Sequence, residues 1–180
     1  NYTFIFIGRI VRDKGVEELL KAFIKLNNEF INIRLMILGN EEKNLDPISQ
    51  EAQSTMEMNK NIINIGYEKD IRPFLAASDC LILPSYREGF PNVVLQAGSM
   101  NIPCIVTNIN GCNEIIQDRM NGLLVNPKNF QSLYESMKKI ILDKELFNSL
   151  TKTPRRIILE KFSMIEFHKK ILLEYSKLKN

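Results

Sequence analysis

Short apolar runs alternate with helix-like segments along most of this 180-residue sequence. Each run is bounded by loop residues, which is typical of the buried strands of a parallel sheet. The segment Val16–Leu26, between the first two runs, carries apolar residues three, four and seven positions apart and therefore predicts a helix. Alternating strands and helices require parallel strands joined by right-handed crossovers. We interpret as strands Thr3–Ile7, Ile33–Leu38, Asn61–Ile65, Cys80–Leu83, Pro103–Val106 and Leu123–Val125.

Helix-like segments follow these runs and continue to the end of the chain. The sequence therefore predicts a Rossmann-like, doubly wound α/β sheet of about six parallel strands, with a helical C-terminal tail. Its usual strand order, 3-2-1-4-5-6, makes the first and fourth strands neighbours and opens a ligand crevice at their carboxyl ends. The further predicted helices are Asp46–Met58, Asp70–Ala77, Pro91–Met100, Cys112–Gln117, Asn129–Leu142, Lys144–Leu150, Pro154–Phe162 and Met164–Leu178.

Composition limits the class of protein. A content of 44% hydrophobic and 25% charged residues is that of a globular domain, and we treat residues 1–180 as one domain. The net charge of +3 is too small for a protein that binds nucleic acid by neutralising phosphates. The longest apolar runs have about five residues, whereas a membrane span needs roughly 20. Three cysteines without CxxC spacing predict buried, reduced thiols and a cytoplasmic location.

The loop after the first predicted strand is basic and opens a helix. It lacks both the GxGxxG and the Walker A spacing, so neither a dehydrogenase nor a P-loop protein is indicated. Arg9 and Lys14 nevertheless lie beside a helix N-terminus, where two cations and free amides could bind one anion. The alternative is that both are solvated surface cations.

The loop after the fourth predicted strand carries a stronger signal. Glu88 is followed by Gly89, which permits unusual backbone angles or close approach, and by Pro91, which suits a first helical position. Gln96 comes about one and a half turns into that helix and can still line the pocket. The alternatives are a Glu88 carboxylate paired with Arg87 or Arg9, and a Gln96 that is simply a polar helix residue.

Several motifs in order resemble the donor-binding half of group 1 (family 4) glycosyltransferases, which have two Rossmann-like domains of the GT-B type. The resemblance covers nearly the whole chain. The segments that carry it are Gly8-Arg9, Lys14-Gly15, Ile65-Gly66-Tyr67, Pro84-Ser85, Glu88-Gly89-Phe90-Pro91, Gln96-Ala97, Asn110–Ile115 and Asn121–Val125.

The resemblance implies a role for each matching residue. Arg9 and Lys14 would bind the diphosphate, and Glu88 would hydrogen-bond the donor sugar. These three are the candidate catalytic residues. Gln96 stands where the family has a second glutamate for the ribose hydroxyls, so a neutral amide replaces a carboxylate, at an expected cost on the order of 1 kcal/mol. The remaining candidate substrate-binding residues are Gly8, Gly66, Tyr67, Gly89, Phe90, Pro91, Asn92 and Val93, of which Gly66 and Tyr67 would border the base.

The resemblance also implies a reaction. Such enzymes transfer a sugar with retention from a nucleoside diphosphate sugar, here with UDP favoured, and need neither a metal nor another cofactor. The acceptor, a glycan or a lipid-linked saccharide, would bind an N-terminal domain that this chain does not contain, so we expect little transfer by the chain alone. That domain could also attach the protein loosely to the inner membrane face.

Two alternatives come from other classes. One is a non-catalytic nucleotide-binding module, which the amide at position 96 and the missing half would suit. The other is a nucleotide-sugar epimerase of similar fold. An epimerase needs carboxylate and histidine side chains at the anomeric centre, and the single histidine, His168, is poorly placed and suits packing better.

Overall fold

The computed structural model describes residues 2–42 and 44–178, which form a six-stranded parallel sheet covered by helices. The strand order is β3-β2-β1-β4-β5-β6, which confirms both the predicted fold class and the predicted topology. Strands β1 and β4 are neighbours, with Phe4 opposite Cys80. The strands are β1 (Tyr2–Ile7), β2 (Ile33–Leu38), β3 (Ile62–Gly66), β4 (Cys80–Leu83), β5 (Cys104–Thr107) and β6 (Gly122–Val125).

Helices pack on the sheet in two groups. Helix α1 packs against α2 and α6, whereas α4 packs against α5 and α8, as the reversal of strand order at β1 and β4 requires. The helices are α1 (Val16–Asn27), α2 (Gln50–Met58), α3 (Arg72–Ala76), α4 (Asn92–Ser99), α5 (Cys112–Ile115), α6 (Phe130–Leu142), α7 (Lys144–Lys152), α8 (Pro154–Lys161) and α9 (Met164–Lys177).

The core lies between the sheet and these helices. Phe4 and Leu81 of the two central strands are fully buried, and so are Leu19 and Phe23 of α1. The predicted apolar face of α1 is therefore the face that packs inward. Because both faces of the central strands are covered, their sequences are almost continuously apolar.

Several helix boundaries differ from the predicted ones by one to four residues, and three of these differences have a local cause. Helix α2 begins at Gln50 instead of Asp46, since the Ser49 hydroxyl accepts a hydrogen bond of 3.3 Å from the Ala52 amide and caps the helix there. Pro91 has an extended backbone (φ −76°, ψ 101°) and precedes α4, so its predicted first helical position is wrong by one residue. Helix α5 ends at Ile115, before Gln117, whose amide donates to the Asn121 side chain.

The C-terminal tail is helical, as predicted. Helix α8 packs Ile157 and Ile158 inward, whereas α9 has no buried residue in the described part of the chain. Phe167 and Leu172 of α9 are both more than half exposed. No helix among the described residues is long and apolar enough to span a membrane.

Candidate functional site

Close backbone contacts at glycines hold the loops at the carboxyl edge of the sheet. Gly15 has φ +67°, and a Cβ atom there would lie 2.1 Å from the Pro84 carbonyl oxygen at the end of β4. Gly111 has φ +82°, and a Cβ atom there would lie 2.2 Å from the Gly89 carbonyl oxygen. Glycine is thus required at both positions by backbone angle and by space. These contacts fix the loops around the crevice between β1 and β4.

The backbone constraint that the sequence predicted at Gly89 lies instead at Gly111, which contacts Gly89 from the loop after β5. Gly89 has no left-handed backbone angle, and a Cβ atom there would meet no described atom within 4 Å. The expectation of an unusual backbone angle at Gly89 is therefore not met, whereas the expectation of close approach, which only a bound ligand would test, stays a prediction. The demand for glycine falls on Gly111, because its backbone lies against the Gly89 carbonyl.

Lys14 and Glu88 form an ion pair across the crevice. The Lys14 ammonium nitrogen donates a hydrogen bond of 2.7 Å to Glu88 Oε1, and the two side chains are only 15% and 13% exposed. The pair joins the loop after β1 to the loop after β4. Low exposure makes the contact stronger than a surface ion pair, since water screens it less.

The other charges of these loops are paired differently from the alternatives that the sequence left open. Arg87 Nε donates to Asp13 at 2.7 Å, and Arg9 Nη1 donates to Glu42 at 3.1 Å. Neither arginine binds Glu88. The alternative in which Glu88 pairs with Arg87 or Arg9 is therefore wrong, and its partner is Lys14.

A cavity of about 450 Å³, here called the Arg9 cavity, opens at the carboxyl ends of β1, β2 and β3. It is amphipathic, with charged, amide, aromatic and aliphatic side chains in its wall. Residues that line it include Gly8, Arg9, Glu42, Tyr67, Val93 and Gln96.

The Arg9 cavity brings together residues from separate sequence motifs. Arg9 comes from the loop after β1, Tyr67 follows β3, and Val93 and Gln96 belong to the first half of α4. Gln96 does line the pocket, as its position in the helix predicted. No side chain of the described residues caps the N-terminus of α4, so amides of its first turn are available to an anion.

Other predicted site residues lie outside the Arg9 cavity. Lys14, Glu88 and Gly89 form the neighbouring ion pair and its loop, and Gly66 ends β3 with φ +82° just before Tyr67. Lys14 and Arg9 thus flank the crevice in two separate ion pairs, and among the described residues only Arg9 of the two lines the cavity.

Phe90 and Asn92 line a second cavity, here called the Phe90 cavity. Its volume is about 470 Å³, and it lies between the start of α4 and the segment that joins α8 to α9. The ring of Phe90 packs against that of Phe162 at a centroid distance of 5.6 Å. Phe90 is therefore anchored from the side of the C-terminal helices, beside the crevice.

The Cys112 thiol lies next to the Lys14–Glu88 pair. The pKa of this thiol is raised to about 12, chiefly by burial and next by the Glu88 carboxylate, while the Lys14 ammonium acts in the opposite direction. Burial also raises the pKa of Cys80 and of Cys104. All three thiols are buried and free, so the cysteines do not supply a nucleophile at neutral pH.

Sequence reasoning missed Glu42 in this site. The residue belongs to no motif, and it follows β2 in a loop that the pattern left unassigned. One signal was available, since the loop after β2 lies beside the loop after β1 in this topology. The Ile10 amide donates to the Asn40 carbonyl at 2.9 Å and brings the two loops together.

A known protein family matches the part of the chain that contains these site residues. The sequence model of the family described as "Glycosyl transferases group 1" matches residues 1–157. The chain belongs to the group 1 glycosyltransferases. The predicted resemblance is confirmed, and membership of this family favours a transferase over an epimerase.

Among residues 2–42 and 44–178, no group of three or more His, Cys, Asp or Glu side chains is placed to hold a metal ion.

Related glycosyltransferases come from several bacteria. The chain is 28% identical over 141 residues to the capsular polysaccharide biosynthesis glycosyltransferase CapM of Staphylococcus aureus, covering 78% of this chain and 37% of that protein. It is 30% identical over 142 residues to UDP-Gal:alpha-D-GlcNAc-diphosphoundecaprenol alpha-1,3-galactosyltransferase of Escherichia coli, covering 78% of this chain and 36% of that protein. The match thus spans little more than a third of each relative.

Solved structures share the fold of this chain, and one of them is a domain of a group 1 family glycosyltransferase. The C-terminal domain of LpcC from Francisella tularensis superposes with a TM-score of 0.82 at 26% identity, covering 91% of this chain and 87% of that one. Anabaena HepE in complex with UDP and glucose superposes with a TM-score of 0.87 at 19% identity, covering 98% of this chain and 48% of that one. The latter likeness shows the fold alone.

Proposed function

We propose that this glycosyltransferase chain binds the donor, a nucleoside diphosphate sugar with UDP as the favoured nucleotide. The observation that supports this most directly is the Arg9 cavity, in which a cation and the first turns of α4 line one space at the carboxyl edge of the sheet. A diphosphate there would accept hydrogen bonds from the guanidinium and from helix amides. HepE, which shares this fold, has been crystallised with UDP.

The proposed reaction is transfer of the sugar with retention at the anomeric carbon. Breaking the bond between that carbon and the phosphate builds positive charge on the sugar and negative charge on the leaving diphosphate. Arg9, Lys14 and the amides at the start of α4 would stabilise the leaving group. Fixed cations of this kind can stabilise that charge, so we propose that no bound metal is required.

Glu88 would pair with Lys14 in the free protein and would bind the donor sugar once the nucleotide sugar is present. Its pair with Lys14 keeps both side chains at the crevice, held by the loops after β1 and β4. We assign Glu88 to a hydrogen bond with a hydroxyl of the donor sugar, and Lys14 to the diphosphate. Because the two charges neutralise each other, holding them at low exposure costs less than burying either one alone.

The acceptor side of the reaction lies outside the described crevice. We propose that a glycan or a lipid-linked saccharide binds an N-terminal domain, and that this chain alone transfers little. The E. coli relative is named for an alpha-D-GlcNAc-diphosphoundecaprenol acceptor. The nucleotide sugar would be drawn from the cytoplasm, with loose attachment to the membrane surface through that domain.

A second candidate is a nucleotide-binding module without catalysis. The observation that favours it is Gln96, an amide in the wall of the Arg9 cavity. An amide binds ribose hydroxyls through one accepting oxygen, which weakens binding without abolishing it. The two candidates share the binding site and differ in turnover by the full-length protein.

Thermal unfolding with a panel of nucleotides tests the shared claim. UDP, GDP, ADP and inorganic phosphate are each added at rising concentration, and stabilisation grows with the ratio of ligand to dissociation constant, reaching about 2.7 kcal/mol at a hundredfold excess. We expect UDP to raise the unfolding temperature most and phosphate least. An unfolding temperature that no nucleoside diphosphate changes would contradict the proposal.

A further inference from the structure

Glu42 places a fixed carboxylate in the wall of the Arg9 cavity. It comes from the loop after β2, its side chain is 34% exposed, and it accepts a hydrogen bond of 3.1 Å from Arg9 Nη1. Gln96 lines the same cavity from α4. The cavity therefore contains a carboxylate next to the cation that the proposed function assigns to phosphate.

We propose that Glu42 accepts hydrogen bonds from the ribose hydroxyls of the bound nucleotide and so supplies the carboxylate that position 96 lacks. This inference rests on the proposed function, since it concerns the same ligand. A ribose presents two neighbouring hydroxyls as donors. An ionised carboxylate is an acceptor at both oxygens, whereas the Gln96 amide has a single accepting oxygen.

The contact between Glu42 and Arg9 matches the order of groups in a nucleotide. In a nucleoside diphosphate the ribose is bonded directly to the first phosphate. Arg9 offers five N–H donors, so the bond from Nη1 to Glu42 leaves Nε and Nη2 for phosphate oxygens. A carboxylate for the ribose and a cation for the adjoining phosphate would then lie side by side.

The ion pair between Arg9 and Glu42 also reduces the repulsion between Glu42 and a bound diphosphate. A carboxylate close to a diphosphate would repel it if the carboxylate were alone. The Arg9 guanidinium, 3.1 Å away, offsets that charge and fixes the direction of the carboxylate. Hydrogen bonds to an ionised acceptor are roughly twice as strong as neutral ones, so this placement can replace a missing glutamate.

Glu68 is the competing carboxylate, because it also lines the Arg9 cavity. Its side chain is exposed, and it follows Tyr67 directly in the chain. Glu42 is less exposed and is held by a cation. Since a fixed acceptor loses less side-chain entropy on binding than a freely rotating one, Glu42 is the better candidate for the ribose. Glu68 provides a matched control at the same cavity.

Calorimetric titration with UDP and with 2′,3′-dideoxy-UDP separates the ribose contact from the phosphate contact. We expect the wild-type protein to bind UDP about tenfold or more tightly than the dideoxy analogue, from hydrogen bonds worth about a factor of ten. In Glu42→Gln this preference should fall about fivefold or more, while Glu68→Gln should keep it. Circular dichroism unfolding checks that both variants fold.

Each other result overturns the inference. An equal loss of affinity for both ligands in Glu42→Gln would mean that Glu42 acts only through Arg9. Loss of the preference in Glu68→Gln instead would assign the ribose to Glu68. A wild-type protein that binds both ligands equally would remove the ribose contact while leaving the proposed function intact, whereas binding of neither ligand would contradict the proposed function itself.

Discussion

The Lys14 ammonium donates a 2.7 Å hydrogen bond to Glu88 from a position 74 residues earlier in the chain. This contact joins the loops that follow β1 and β4, the two strands between which the sheet reverses its order. Both side chains are largely buried. Breaking the pair from one side leaves a charge with little water around it, which costs free energy.

Removing one member of that pair should destabilise the fold. We expect Lys14→Met and Glu88→Gln each to lower the free energy of unfolding by about 1 to 3 kcal/mol, because the remaining partner is left without its hydrogen bond. The double variant should lose less than the sum of the two, since one interaction is removed twice. Urea unfolding of all four proteins measures the coupling.

A matched control is available on α9. Lys169 and Glu166 form a 2.8 Å ion pair whose side chains are more than half exposed. Lys169→Met should change stability by less than about 0.5 kcal/mol, because exposed pairs are screened by water. Strictly additive losses at Lys14 and Glu88 would contradict the coupling.

Glycine should be required at Gly111 and Gly15 but not at Gly89. A Cβ atom at Gly111 would overlap the Gly89 carbonyl and one at Gly15 the Pro84 carbonyl, both at left-handed backbone angles. We expect Gly111→Ala and Gly15→Ala to lower the free energy of unfolding by about 2 kcal/mol or more. Gly89→Ala should change it little, because a Cβ atom there meets open space. Equal losses at Gly89 and Gly111 would be inconsistent with this geometry.

The buried thiols should be inert in the folded protein and should limit its stability at high pH. The pKa of Cys112 is raised from 9.0 to about 12 chiefly by burial, so the folded state holds the proton where the unfolded chain releases it. The stabilisation that the buried, protonated thiol contributes is therefore fully present below pH 9 and is lost as the pH rises toward 12. We expect a lower urea midpoint at pH 10 than at pH 8.

A thiol reagent checks the same claim by another route. Ellman's reagent at pH 8 should modify the three cysteines only after unfolding, because each is buried. Fast, stoichiometric modification of the folded protein, or a urea midpoint that rises between pH 8 and pH 10, would contradict the raised pKa values.

Chelation should leave nucleotide binding unchanged. The proposed site binds the diphosphate with Arg9, Lys14 and the amides of α4, all of which act without a divalent ion. We expect the dissociation constant for UDP to be the same within about twofold in EDTA and in MgCl₂. A tenfold weakening in EDTA would show that a divalent ion takes part.

The sheet order was predictable because it depends on local pattern and general topology. Short apolar runs identify the strands, and right-handed crossovers leave few arrangements of parallel strands. Helix starts were less predictable. The start of α2 depends on one hydrogen bond to the Ser49 side chain, and the start of α4 depends on the backbone angles of Pro91. Neither feature appears in the periodicity of the sequence.

Pairing of charges could not be predicted from the sequence. Lys14 and Glu88 each belong to a motif, but nothing in either motif specifies the other as its partner. Arg9 and Glu42 are 33 residues apart, and Glu42 carries no local signal. Such contacts depend on how loops from different strands lie against each other, which only the folded backbone determines.

The most direct test of the account is calorimetric titration of UDP into the wild-type protein, Arg9→Ala and Lys14→Ala. Arg156→Ala, which removes an exposed cation on α8, is the control. We predict that each site variant weakens binding by about tenfold or more and that the control does not, because only the former remove a cation from the phosphate. UDP affinities that are the same in all four proteins would contradict a diphosphate site at this crevice.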